Sequence, residues 1–144
     1  MHTLKLIALS CSLSLPALSH AAPHDTVQTQ ENLCSAYSQA GMRDCLAQKV
    51  AESQVALQRA EEAVGHSLTQ WDEDGKYINV AKAKLVASDR EFPRYRDTEC
   101  EFSASLSGGG AGNAHEMGRL ACVAVLNNRR AEQLRNAVAN LPLR

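Results

Sequence analysis

This sequence has no surplus of charge, no apolar run long enough to span a membrane and no segment of strand-like alternation. Lys and Arg number 15 against 16 Asp and Glu, a formal net charge of −1. That balance leaves no electrostatic case for nucleic acid or an anionic membrane as partner. The longest apolar run, Leu6 to Leu18, falls short of the about 20 residues a spanning helix needs. Period-two alternation is missing throughout, which leaves helix as the regular element. No Gly-x-Ser-x-Gly, His-Glu-x-x-His or phosphate-loop motif occurs, and the glycine run 108–110 lacks the Lys-Ser/Thr that a phosphate cradle requires. No catalytic residue is assigned. The chain reads as a non-enzyme without cofactor.

The apolar run itself has a use. Lys5 supplies a short basic start, and Ser19-His20-Ala21 places small residues where a signal peptidase needs them. Residues 1–21 are read as a cleaved signal peptide with the cut after Ala21, Ala22 being the next choice. Cys11 lies inside the apolar stretch with too little sequence ahead of it for lipidation. Residues 22–30 form a flexible lead-in and residues 31–144 a single helical domain. Removing 21 of 144 residues leaves 123, with all 16 acidic and 14 of the 15 basic side chains, hence a net charge of −2. The expected location is the periplasm or the exterior.

Four cysteines remain after cleavage: Cys34, Cys45, Cys100 and Cys122. An even number in an exported chain reads as two disulfides. Zinc is the rival, but there is no Cys-x-x-Cys pair and no histidine near either couple, so no metal ligand is assigned. Three pairings are possible. Cys34–Cys45 with Cys100–Cys122 is preferred, because each bond then closes a helix–turn–helix corner.

Helical periodicity fills the rest. A short helix is expected over Glu31 to Gln39, stopped at Gly41. Val50, Leu57, Val64 and Trp71 recur every seven residues on a long helix from Met42 to Trp71. After "DEDG" a third helix carries Ile78, Ala81, Leu85, Phe92, Tyr95, Phe102 and Leu106 as its apolar stripe, kinked at Pro93. Asn113 with Glu116 has capping-box spacing and should open the last helix. There Met117, Leu120, Ala124, Ala131, Leu134, Val138 and Leu141 line the seam, and Asn127 is its one polar member, read as a satisfied buried amide. The expected fold is an all-α, disulfide-stapled bundle of three long helices plus one short N-terminal helix.

The triplet Tyr95-Arg96-Asp97 stands three residues before Cys100. A tyrosine on the stripe should bury its ring and seek a partner for its hydroxyl. Asp97 is expected to pair with Arg130 once the disulfide joins the two helices. Tyr95, Arg96, Asp97 and Arg130 are thus read as scaffold.

Two cysteines near the mature N-terminus, an aromatic-x-x-Tyr-Arg-Asp-x-x-Cys segment (Phe92, Tyr95, Arg96, Asp97, Cys100), the pair Gly108-Gly109 and a Cys-x3-Leu-x3-Arg-x3-Leu tail (Cys122, Leu126, Arg130, Leu134) resemble the LprI-like lysozyme inhibitor family of small exported domains. Phe92 stands where that family usually has Trp, Pro93 is unusual, and Asn127 stands where Thr is common. The resemblance implies an all-helical disulfide-bonded domain and a protein partner, a lysozyme or other cell-wall hydrolase whose cleft it occludes. An immunity protein against a periplasmic toxin, or a non-inhibitory envelope module, are the alternatives. The candidate partner-binding loop is the connector Ser107, Gly108, Gly109, Gly110, Asn113 and His115, whose amides the pattern leaves uncommitted. An apolar stripe left exposed on any helix would favour a dimer.

Overall fold

The computed structural model describes residues 25–109 and 112–144. The signal-peptide reading, Cys11 and Gly110 lie outside the described residues. Four α-helices follow one another: α1 Val27–Cys34, α2 Gln39–Gln70, α3 Gly75–Ser105 and α4 Gly112–Val138. No strand forms among the described residues; Trp71 and Leu143 make one isolated bridge.

Short polar side chains start three of these helices. Thr26 Oγ1 accepts from the Thr29 amide at 3.1 Å, Ser38 Oγ from Gly41 at 3.4 Å and Asp74 Oδ1 from Lys76 at 3.3 Å. Each satisfies an amide that the first helical turn leaves without a partner. These caps move two expected boundaries. The Thr26 cap starts α1 at Val27, so residues 27–30 are helical rather than a loose lead-in, with Gln30 buried and donating to Asp25 Oδ1 at 2.8 Å. Gly41 is no helix stop, because Ser38 begins α2 ahead of it. A Cβ at Gly41 would stand 3.1 Å from the Cβ of Tyr37, so the close turn after α1 uses the missing side chain. α3 runs unbroken through Pro93 despite the lost amide.

α4 packs against each of the other three helices, whereas α1 reaches α2 and α4 but not α3 among the described residues. Leu57, Ala60, Val64 and Leu68 of α2 meet Ala131 and Leu134 of α4, with Trp71, Leu85 and Phe92 against them. Toward the other end Cys34, Leu46 and Ala121 form a second cluster, and Cys100, Cys122 and Val123 a third. Each buried leucine contributes about 1.5–3 kcal/mol by area removed from water. The tail folds back over the α2–α3 corner: Pro142 O accepts from the Asp72 amide at 2.8 Å, and Gln70 O accepts from the Arg144 amide at 2.9 Å.

Both expected disulfides form. Cys34–Cys45 ties the end of α1 to α2, and Cys100–Cys122 ties α3 to α4. With sequence separations of 11 and 22, chain-entropy estimates give about 3 kcal/mol for each bond. The pattern is an all-α bundle stapled at two corners.

Candidate functional site

Three groups of residues could meet a partner: the Tyr-Arg-Asp segment, the groove between α3 and α4, and the disulfide-bonded end.

Arg96 braces the bundle. Its side chain is 15% exposed, and the guanidinium lies 2.8 Å from Asp97 Oδ1 and donates to Asn127 Oδ1 at 3.1 Å and to Gln54 Oε1 at 3.2 Å. Fully buried Asn127 then donates to Ser53 Oγ at 3.1 Å. One chain of bonds therefore joins α3, α4 and α2, and Asn127 is satisfied on both sides.

Asp97 does not pair with Arg130. In the antiparallel register set by Cys100–Cys122, Arg130 lies eight residues beyond one cysteine and faces Phe92, eight before the other. Arg130 accordingly binds Asp89 Oδ1 at 3.1 Å and Ser88 Oγ at 2.8 Å, with its guanidinium 5.9 Å from the centre of the Phe92 ring. Tyr95 departs from expectation too: its ring is 56% exposed, tilted against Phe92 at a centroid distance of 6.4 Å. Phe102 and Leu106 are likewise exposed. At 100° per residue, ten residues carry Phe102 about 80° round the helix from Phe92. A groove of about 590 Å³ opens beside these residues, floored by Phe92 and Leu126 and edged by Tyr95, Arg129 and Arg130.

Burial holds the Glu61 carboxyl above the usual carboxylate range; the Asp89 charge adds to this and Arg130 opposes it. The folded chain thus holds the Glu61 proton more tightly than the unfolded chain does. The resulting stabilisation is complete below the ordinary carboxylate range and is lost as pH rises through Glu61's folded pKa. Glu61→Gln should therefore gain thermal stability over the wild type as pH rises from acid to neutral. A melting-temperature difference independent of pH contradicts this.

The connector is shorter than expected. α3 ends at Ser105, and the amides of Leu106, Ser107 and Gly108 bond back to Ser103, Ala104 and Ser105 at 3.1–3.2 Å, so they are committed. Gly108 has φ +63, the left-handed region that favours glycine after a helix end. α4 is already helical at Gly112, which places Asn113 and His115 on that helix rather than in a loop. Glu116 makes no capping box. It takes Arg119 through both carboxylate oxygens at 3.0 Å, which holds its pKa below the usual range.

The two stapled corners share one end of the molecule. A hollow of about 340 Å³ is walled by Asn32 and Ser35 from the α1 side and by Ser107 and Ala114 from the connector side. A smaller one of about 270 Å³ lies between Arg43 and Asn113. Leu33 and Tyr37, around the α1–α2 corner, and Leu106, Gly108 and Gly109, after α3, are exposed. Leu33 and Tyr37 escape a reading by periodicity, because α1 is short and the turn after it has no repeat. Among the described residues no group of three His, Cys, Asp or Glu side chains could hold a metal, and no helix is long and apolar enough to cross a membrane.

The family model described as Lysozyme inhibitor LprI matches residues 31–134. The chain belongs to the LprI lysozyme inhibitor family. No curated protein and no solved structure matches it. The LprI match begins just after the start of α1 and ends at buried Leu134, so it takes in both disulfides, the Arg96 brace and the shared end. The disulfides are those of an exported protein. Of the LprI motif residues, Arg96 and Arg130 are spent on internal bonds, while Tyr95 and the glycines face solvent.

Proposed function

We propose that this protein inhibits a peptidoglycan-cleaving lysozyme in the periplasm or outside the cell, and that it does so by occluding the enzyme's cleft. The observation that carries this reading is the LprI family match over residues 31–134. A lysozyme cuts with two carboxylates set in a groove. An occluding surface therefore needs hydrogen-bond donors or positive charge on something that projects.

The stapled end meets that need. The first turn of α4 contains no acidic residue, so the positive end of its dipole is not cancelled from within the helix. Asn113 and Arg43 stand exposed beside it, and Leu106 and Tyr37 add apolar surface. Two disulfides hold this surface in place before binding, which lowers the entropy lost on docking. The net charge of the mature chain is small, so affinity rests on fit more than on long-range steering.

The connector region Ser107 to His115, with its flanking α1–α2 corner, is assigned as the contact. Deleting Gly109 and Gly110 together with His115→Ala should weaken binding about tenfold or more, roughly 1.4 kcal/mol, with the helical CD spectrum retained. Filling the enzyme's cleft beforehand with a chitin trisaccharide should compete with binding. Undiminished affinity in both experiments would place the contact elsewhere.

A further inference from the structure

The outer face of α3 carries a stripe that none of the described residues covers. Tyr77, Val80, Tyr95 and Phe102 are 53–60% exposed, and at 100° per residue they fall within about 60° of one another. Lys84, Ala87, Glu91 and Thr98 lie on the same strip and are exposed too. α1 is eight residues long and does not reach α3, so among the described residues the fourth side of the bundle stays open along this helix. Singly scattered apolar residues need no explanation, but a row of four along one helix does.

The charges on the strip say what fits it. Suppose a second copy's α3 lies antiparallel, crossing between Ala87 and Ser88. Lys84 then opposes Glu91 of the second copy, a pair that occurs twice by symmetry. The same register sets Val80 against Tyr95 of the second copy and Tyr77 against Thr98. Ala87 falls at the crossing point, where a small side chain lets two helices approach closely. A hollow of about 400 Å³ on this face is lined by Glu91, Arg94, Tyr95, Thr98 and Glu99. Of these, Glu91, Tyr95 and Thr98 are the residues this register places opposite Lys84, Val80 and Tyr77 of the second copy. Side chains that project at one end of the strip thus meet a hollow at the other, with Lys84 facing Glu91. Among the described residues Lys84 makes no ion pair, and Glu91 has only its neighbour Arg90 at 3.2 Å.

We propose that the protein forms a two-fold symmetric dimer through this face of α3, with the paired helices antiparallel. An isologous contact needs a self-complementary patch, and Lys84 against Glu91 is one. The proposal does not depend on the assigned function. It leaves that site free, because Ser105, where α3 ends, is about 26 Å along the helix from the crossing. The two stapled ends then point in opposite directions, able to hold two target molecules.

Sedimentation velocity over a concentration series tests this with the full mature chain. The wild type should associate reversibly to a dimer. Lys84→Glu should weaken self-association about tenfold or more by setting like charges opposite each other, and Tyr95→Ala should weaken it by removing the apolar contact. The Glu91→Lys variant alone should fail likewise, whereas an equimolar mixture of Lys84→Glu and Glu91→Lys should re-form a mixed dimer. All of these positions are exposed, and CD will show the helices intact. A wild type monomeric throughout overturns the proposal; so does a dimer that survives Lys84→Glu and Tyr95→Ala, or failure of the mixture to associate.

Discussion

Replacing Cys100 and Cys122 together by serine is expected to cost about 2–5 kcal/mol of folding stability, as loss of a native disulfide does in small secreted domains. The bond fixes the register in which Arg96 meets Asn127 and Arg130 meets Asp89. Without it, loop-closure entropy and those cross-helix bonds are lost together. Cys100 is fully buried and Cys122 nearly so, so two polar hydroxyls also enter an apolar cluster without assured partners. Urea unfolding followed by CD measures the loss. Peptide mapping without reduction should at the same time recover Cys34–Cys45 intact. A loss below about 1 kcal/mol would show that packing of α4 alone holds the register, contrary to the disulfide estimate.

Arg96→Ala should cost about 1–3 kcal/mol, because Asn127 Oδ1 sits where water does not reach and would keep no strong donor. Asp97→Ala should cost far less: that carboxylate is 60% exposed, and the arginine it leaves still has Gln54 and Asn127. The expectation from sequence alone put the weight on Asp97 paired with Arg130. Thermal melts of the two variants side by side separate the accounts. A greater loss in Asp97→Ala would restore the earlier assignment and contradict the brace described here.

Four helices were legible because a 3.6-residue period repeats for many turns in α2 and α4, where one face is buried along its length. Both disulfides were legible because sequence-adjacent pairings close corners. Asn127, a lone amide in an apolar seam, announced itself as a buried and satisfied group. α3 misled for a physical reason. It has apolar residues on two faces, one around Ile78, Leu85 and Cys100 and the other around Val80, Tyr95 and Phe102, and among the described residues only the first is packed against another helix. A period shows that a stripe exists, not which stripe the rest of the chain will cover. The Asp97–Arg130 pairing failed because the disulfide, not the pair of opposite charges, fixes the register of α3 against α4. The disulfide held that information, and counting eight residues from each cysteine would have found Phe92 and, beside it, Asp89. From sequence the connector reads longer than it is, because the glycines at 108–110 and 112 hide an early start of α4.

The central claim is inhibition, and its most direct measurement is the rate of peptidoglycan lysis by a panel of purified lysozymes with increasing amounts of the oxidised mature protein. The account predicts that at least one enzyme is inhibited in a saturable, stoichiometric manner. It predicts also that reducing the disulfides, or altering the connector region Ser107 to His115, relieves that inhibition. Full lytic activity of every enzyme at saturating protein, with the protein shown to be folded and oxidised, would contradict it.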